Sequence, residues 1–569
     1  MAPPSTVAAE DIFAPALRPP QFTGAVPLVS PTLAIAPMRP SDVASEPTGA
    51  EPLFKFRLGN LLLAQGAVDE AATAFREVLA LRPNLAEAHN NLGIALSKSG
   101  EPTAAALHYL RAIEIAPKMD EAHNNLGCMM MLLGQLGPAI NHYRQAIALN
   151  PTAPFSYTNL VLALHYLPGV SNALIADTTR RWTAAIPRDR ITSSGRKAAK
   201  PTRRLRLGYV SGDFRAHPVA YFIESVLAAH DRRSVEVFCY GNAAQEDATT
   251  RRIAAIADHW CDVAGLSDEE AAQRIATDAI DILVDLSGHT AGNRLTLFAR
   301  KPAPIQCTWL GYVGTTGLPE IDYILTDRFV LPPADECFYS ERPYRLPNSY
   351  LCFTPPQTEI EIGKLPALAT GAVTFGCFNN LMKINGPVID LWSSLLAAVP
   401  QSRLYLKTAQ LGDPTICTGL EHEFAARGIA RERLVLAGLS PRQELLAAYN
   451  EVDIALDPFP FGGGTTTIEA LWMGVPVVSL RGDRFVGRVG ESVLTTAGLP
   501  ELVAASPAEY LATAMALATD LPRLSALRNS LRQRLVASPL CDAKSFARDL
   551  ETGYRAMWQA WRRSRKQAA

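Results

Sequence analysis

Between residues 51 and 167 apolar side chains recur every three or four positions in successive short blocks, the spacing of helices that each bury one stripe. Beyond residue 204 the texture changes. Leu205 to Val210, Val235 to Tyr240, Ile280 to Leu286 and Ile321 to Leu325 are short apolar runs separated by helical stretches, which predicts a parallel sheet built from βα units. A second series follows at Val373 to Phe378, Arg403 to Lys407, Leu434 to Leu436, Val452 to Leu456 and Val475 to Leu480. The irregular stretch 354–371 between the two series predicts two doubly wound domains facing one another. In such folds ligands bind at the carboxyl ends of the strands, here in the cleft between the domains.

The helical region repeats itself with a period of 34: Pro83, Pro117 and Pro151 keep that step, as do Gly66, Gly100 and Gly134, then Ala71, Ala105 and Ala139, then Phe75, Tyr109 and Tyr143. Leu58-Gly59, Leu92-Gly93 and Leu126-Gly127 follow the same register. Small residues let two helices approach, the aromatic fills the gap, and proline ends the second helix of each pair. The spacing resembles the tetratricopeptide repeat. Three repeats and the first helix of a fourth, Phe155 to Leu167, predict a short superhelical groove. Asn91, Asn125 and Asn159 share one repeat position. They either cap neighbouring backbone, or line the concave face, where side-chain amides clamp the backbone of an extended peptide without reading its sequence.

The expected organisation is therefore a proline-rich tail at 1–50, repeats and connecting helices at 51–186, and a basic linker at 187–204. Sheet halves follow at 205–353 and 372–540 around the linker 354–371, and a final helix at 541–569 packs back across the junction. The tail holds ten of the 42 prolines and no lysine, which removes backbone donors and disfavours helix, so it is expected to be disordered or to cap the repeats.

Composition narrows the function classes. Lys plus Arg number 54 against 55 Asp plus Glu, so no overall field draws the chain to nucleic acid or an anionic membrane, and the basic linker has no interleaved aromatics. Nine cysteines stand singly with no CxxC pair, which points to a reducing cytoplasm and away from a zinc ribbon or disulfide framework. No secretory signal pattern or long apolar span is present, so the chain reads as a soluble intracellular protein. Oligomeric state is not legible.

The sequence contains no GxxxxGK[ST], GxGxxG, HExxH, GxSxG or DxD, which argues against a P-loop NTPase, a dinucleotide oxidoreductase, a zincin, an α/β-hydrolase and a DxD glycosyltransferase. The most informative segment is DPFPFGGGTTTIEALWMGVPVVSL, Asp457 to Leu480. There a strand runs into a glycine-rich loop, and Thr465-Thr466-Thr467 opens a helix. Free N–H groups and the positive end of the helix dipole suit a phosphate or pyrophosphate, and Glu469 one turn on suits vicinal ribose hydroxyls. Ordinary helix capping is the alternative.

With the Gly474-Val475-Pro476-Val477-Val478 that follows, this block resembles the sugar-nucleotide site of GT-B glycosyltransferases. It looks specifically like the nucleocytoplasmic O-linked N-acetylglucosaminyltransferase family, which joins tetratricopeptide repeats to a GT-B region. The likeness runs through LRLGYVSGDFRAHPV (205–219), KPAPIQCTWLGYVGTTGLPEIDYILTD (301–327) and FGCFNNLMKI (375–384), and covers residues from about 51 to 565. The resemblance implies that Lys383 contacts the donor pyrophosphate and takes the place of a metal. It implies that Asn380, at a usual glutamine position, lies near the nucleotide, and that Ser440 and Arg442, the latter replacing a lysine, hold the uracil and ribose region. Thr465 and Thr466 keep the phosphate pattern, Gly464 stands where many animal members have histidine, and Glu469 replaces an aspartate. His217 matches a histidine important for catalysis, with Asp213 placed to orient it, and Gly311 lets backbone approach the sugar. His259 and His289 read as structural.

The resemblance thus implies an inverting, metal-independent and cofactor-free transfer of N-acetylglucosamine from UDP-GlcNAc to Ser or Thr hydroxyls of intracellular proteins. The same fold with a GDP-fucose donor, and a peptide-binding scaffold with a weakened transferase half, stand as alternatives.

Overall fold

The computed structural model describes Leu33 and residues 50–191, 203–243 and 245–568. The expectation for the tail, Leu33 apart, and for most of the basic linker falls outside the described residues.

Eight helices form four antiparallel pairs: α1 (Ala50–Gln65), α2 (Val68–Leu81), α3 (Ala86–Lys98), α4 (Pro102–Ile115), α5 (Asp120–Leu132), α6 (Leu136–Leu149), α7 (Pro154–Tyr166) and α8 (Asn172–Ala185). The two sets of repeat glycines do different work. A Cβ on Gly59, Gly93 or Gly127 would lie 2.7 Å from the ring of Phe75, Tyr109 or Tyr143, so these glycines set the distance between paired helices. Gly66, Gly100 and Gly134 have φ of 78°, 83° and 78°, the left-handed turn that joins one helix to the next. The fourth pair is complete, where the sequence pattern showed only its first helix. The reason lies in what α8 packs against: Thr183 Oγ1 donates to Gly317 O at 2.9 Å, and the Trp182 ring meets His289 edge-on at 4.6 Å. Its inner residues answer to a sheet domain instead of another repeat.

The first sheet domain has seven strands: β1 (Leu205–Ser211), β2 (Val235–Gly241), β3 (His259–Asp262), β4 (Ile282–Asp285), β5 (Ile305–Thr308), β6 (Tyr323–Thr326) and β7 (Arg342–Arg345), in the order β3-β2-β1-β4-β5-β6-β7. The second has six: β8 (Thr374–Cys377), β9 (Arg403–Lys407), β10 (Leu434–Ala437), β11 (Ile454–Leu456), β12 (Val477–Leu480) and β13 (Val503–Ala504), in the order β10-β9-β8-β11-β12-β13. Neighbouring strands pair in parallel, with Gly208 opposite Phe238 and Leu283, and Phe375 opposite Leu404 and Ile454. The chain is therefore a helical repeat region followed by two Rossmann-like domains.

Three sets of contacts fix these parts around the cleft. Between the sheet domains, Asp327 accepts from Ser492 Oγ at 2.6 Å, and Arg488 reaches Asp335 at 2.5 Å. The helix Ala543–Ala568 returns to the first domain, where Glu551 accepts from the Asp231 amide at 2.9 Å and Phe546 stacks on Trp309 at 5.7 Å. From the repeats, α7 and α8 seat against the first domain, and His165 Nε2 lies 2.7 Å from the Tyr312 hydroxyl.

Candidate active site

A cleft of about 910 Å³ opens between the sheet domains, lined by residues from the carboxyl ends of their strands and by Leu162 and Tyr166 of α7. His217, Gly311, Asn380, Lys383, Ser440, Arg442, Gly464, Thr465, Thr466 and Glu469 all lie on its wall. Asp213 is set behind His217.

At one end the loop after β11 delivers Gly462 to Gly464 to the start of the helix Thr465–Trp472. Asp457, at the end of the strand, holds the loop: its carboxylate accepts from the Gly463 amide at 2.5 Å and from Ser479 Oγ at 2.6 Å. Burial pushes that carboxyl up to about 6, with Ser479 and Lys383 opposing. A Cβ on Gly463 would lie 2.5 Å from Thr466 Oγ1, whereas one on Gly464 meets only Val489 at 3.4 Å. The open ground at Gly464 has room for a side chain. Lys383 sits beneath the loop, its ammonium donating to Asn379 Oδ1 at 2.9 Å and Gly462 O at 2.8 Å and lying 4.6 Å from the centre of the Phe461 ring. Burial lowers Lys383 to about 8, partly offset by the Asp457 carboxylate. A cation in this position, next to the N-terminus of a helix and donating only to neutral oxygens, suits a diphosphate.

At the other end Arg442 lies with its guanidinium carbon 3.2 Å from the centre of the Tyr221 ring and its Nη2 3.1 Å from Glu469 Oε1. Tyr221 belongs to α9 (Pro218–Ala229) of the first domain, so Arg442 bridges the cleft. Burial raises the Glu469 carboxyl and Arg442 opposes the rise. Ser440 Oγ and Arg442 Nε are buried without a hydrogen-bond partner among the described residues. Unsatisfied polar atoms on a cleft wall are what a bound polar ligand would satisfy. Asn380 Oδ1 is occupied, accepting from the Met382 amide at 3.1 Å and Gln410 Nε2 at 2.8 Å, which leaves its amide nitrogen to face a ligand.

His217 caps α9: its Nδ1 accepts from the Val219 amide at 3.3 Å. That bond places the ring proton on Nε2. Asp213 Oδ2 is 3.5 Å from the same Nδ1 and its other oxygen accepts from Arg215 at 3.2 Å. Burial lowers His217 to about 4, with Asp213 opposing, so the ring is neutral at physiological pH. With Nδ1 accepting from the helix amide and carrying no proton, Asp213 has no hydrogen bond to receive there, and the helix amide instead of Asp213 holds the ring. The Ala216 amide donates to Asp247 at 2.6 Å, fixing the loop from outside. Gly311 lies on the cleft wall, and a Cβ there would lie 2.0 Å from the Leu286 carbonyl oxygen, so the protein's own backbone also demands glycine.

Asn91, Asn125 and Asn159 are at most 1% exposed. Asn91, Asn125 and Asn159 donate to Asn60, Asn90 and Asn124 of the preceding repeat at 2.8, 2.9 and 2.9 Å, while Asn90 and Asn124 donate to Asn91 and Asn125. They form a ladder along the repeats. The structural reading of His289 and His259 agrees with their surroundings: His289 is buried with Nε2 2.9 Å from Thr316 O, and His259 pairs with Glu236 at the sheet edge. Sequence reasoning missed Tyr221, Lys407, Phe461 and Tyr166, all on the cleft wall. Each carries only an ordinary core or surface pattern along the chain, and the fold alone brings them together.

A family model described as glycosyl transferase family 41 matches residues 188–354 and 354–550. The chain belongs to this family. Tetratricopeptide repeat models match residues 56–120 and 120–153. Among family 41 relatives, a probable UDP-N-acetylglucosamine–peptide N-acetylglucosaminyltransferase SPINDLY of Petunia hybrida is 40% identical over 413 residues, covering 71% of this chain and 44% of that protein. The SEC protein of Arabidopsis thaliana, named for the same probable activity, is 34% identical over 367 residues, covering 63% and 37%. The chain therefore spans less than half the length of these curated relatives. A solved structure of a lysine-to-methionine mutant of the O-GlcNAc transferase of Thermobaculum terrenum superposes with a TM-score of 0.84 at 38% identity, covering 91% of this chain and 99% of that one. Among the described residues no helix is long and apolar enough to cross a membrane.

Proposed function

We propose that this family 41 chain transfers N-acetylglucosamine from UDP-GlcNAc to Ser or Thr hydroxyls of protein acceptors, with inversion at the anomeric carbon. The observation that carries the reading is the convergence of buried Lys383 with the N-terminus of the helix Thr465–Trp472 at one end of a cleft whose other end offers Ser440, Arg442 and Glu469. The spacing of these groups fits a nucleoside diphosphate laid along the second domain, with base and ribose toward Ser440 and Glu469 and the β-phosphate over Lys383.

In this arrangement the acceptor oxygen forms a bond to the anomeric carbon from the face opposite UDP, and the bond from that carbon to the β-phosphate oxygen breaks. The electron pair leaves with UDP, and the proton of the acceptor hydroxyl passes to an oxygen of the departing diphosphate. Lys383 and the N–H groups at Thr465 and Thr466 stabilise the charge on the leaving diphosphate, the task that a metal performs in DxD enzymes. His217, neutral and tied through Nδ1 to its own helix, serves as a hydrogen-bond donor to donor or acceptor oxygen through Nε2. The reading assigns no metal or cofactor. The nine free cysteines fit a reducing, cytoplasmic setting. Acceptors are expected to enter along the repeats, since Leu162 and Tyr166 of α7 form part of the cleft wall.

The decisive experiment offers UDP and GDP separately and follows thermal unfolding, then offers UDP-GlcNAc and GDP-fucose with a peptide acceptor and follows product mass. Stabilisation by UDP and addition of N-acetylhexosamine are expected. Stabilisation by GDP alone would transfer the assignment to another donor.

A further inference from the structure

Arg484 stands at the N-cap of the helix Phe485–Thr496 in the second sheet domain and is 2% exposed. Its Nη2 donates to Leu167 O, just past the end of α7, at 2.9 Å. Nε and Nη1 are buried without a hydrogen-bond partner among the described residues. The ion-pair partner is Asp483, whose Oδ1 lies 3.3 Å from Nε without the geometry of a hydrogen bond, on a side chain that is 74% exposed. Burial works against the guanidinium charge and Asp483 offsets it from outside. A guanidinium does not shed its proton, so its unpaired donors stay costly until something accepts from them.

A second orphan shares the same space. His165 of α7 is buried, with Nε2 2.7 Å from the Tyr312 hydroxyl and Nδ1 without a partner among the described residues. Burial, then the charge of Arg484 and the neighbouring His289, lowers His165 to about 3, so the ring is neutral and holds one proton. When the Tyr312 hydroxyl donates to Nε2, that proton sits on Nδ1.

Arg484 and His165 line one small cavity, bounded also by Asn172 of α8 and by Thr315 and Tyr339 of the first sheet domain. The Glu341 carboxylate behind Thr315 accepts from Thr315 Oγ1 and from the Thr316 amide, both at 2.7 Å, and does not pair with Arg484. The cavity has about 10 Å³ of free space, room for a ligand of a single heavy atom and too little for sulfate, phosphate or a carboxylate. A water could accept from these donors, but its own hydrogens would then need acceptors. A monatomic anion accepts from every donor as it stands and brings the charge that a buried guanidinium calls for.

We propose that this cavity is a halide site, in which chloride accepts from Nε and Nη1 of Arg484 and from Nδ1 of His165. Its walls come from the repeats and from both sheet domains, so the ion ties α7 and α8 to the two halves of the cleft. It also selects the His165 tautomer that accepts from Tyr312, a residue of the cleft wall. The site does not depend on which sugar nucleotide the cleft takes.

The test follows thermal unfolding of the full chain in chloride and in gluconate at equal ionic strength, gluconate being too large to enter. The wild type is expected to melt a few degrees higher in chloride, with a saturable dependence on its concentration, and Arg484→Met is expected to lose that gap. Wild-type crystals grown in bromide give a reading that needs no variant, and an anomalous peak between Arg484 and His165 is expected. Equal melting of the wild type in the two salts, or the same gap in Arg484→Met, overturns the proposal. So do bromide crystals with no anomalous signal in the cavity, which would make its occupant a water.

Discussion

The guanidinium carbon of Arg442 lies 3.2 Å from the centre of the Tyr221 ring, joining the two sheet domains across the cleft while its Nη2 meets Glu469. Neither partner's role shows in the sequence around it, because the stack exists only once the two domains face each other. It sets the floor on which the base and ribose end of a nucleotide would rest.

A cation held over a ring face is worth about 0.5–2 kcal/mol, more when shielded from water. Tyr221→Phe keeps the face and should leave UDP affinity unchanged. Tyr221→Ala removes it and should weaken UDP several-fold by calorimetry. Tighter binding in Tyr221→Ala would show that the stacked arginine occupies the nucleotide's own place.

Lys383→Ala should retain its thermal transition and lose transfer, by roughly 3–4 kcal/mol of transition-state stabilisation if the ammonium serves as one preorganised donor to the leaving group. The wild type should turn over undiminished in EDTA, since lysine and helix N-terminus supply the charge. Near-normal turnover by the mutant, or a strict need for Mg²⁺ or Mn²⁺, would sink this assignment.

The same lysine gives a pH signature. Burial brings it to about 8, so above that pH the empty site increasingly holds a neutral amine. A diphosphate favours the ammonium and raises its pKa, so the complex binds more protons than the free protein in that range. UDP affinity should therefore be level below pH 8 and fall by up to ~10-fold per unit above it. In Lys383→Met the slope should vanish, and a titration in which it persists would point to another group.

Asn125→Ala removes the donor to Asn90 and the acceptor of Asn124 inside the repeats. Losing hydrogen bonds between buried amides costs about 1–3 kcal/mol, so the variant should melt several degrees lower. An unchanged melting temperature would mean that the ladder contributes nothing to the stacking of repeats.

Much of the architecture could be read from the residues because each rule was local. The glycine-to-aromatic step that fits Gly93 against Tyr109 recurs at a fixed period, and the long apolar strands such as Leu205–Ser211 are buried on both faces. The strands missed are the short ones. His259–Asp262 and Arg342–Arg345 lie at sheet edges with polar side chains, Ile305–Thr308 hides among prolines, and Val503–Ala504 spans two residues. At the site, the glycine loop and Glu469 are contiguous in sequence and were legible. The asparagine positions were found, but their burial depends on neighbouring repeats and on what covers them. Gly311 also answers to the Leu286 carbonyl, a contact across strands that the residues around it do not show.

The return of the helix Ala543–Ala568 to the first sheet domain has a consequence for how the protein is made. Tyr209 on β1 is within 3.4 Å of the Tyr554 hydroxyl, and Trp309 stacks on Phe546. On the ribosome the first sheet domain emerges some two hundred residues before the helix that closes its apolar surface. It must wait, partly uncovered, while the whole second domain is synthesised and folds. The emergence of this helix, and not the completion of either sheet, is then the event that covers the first domain's apolar surface. A stop codon near residue 542 should yield a protein that aggregates through its first domain while its second folds normally.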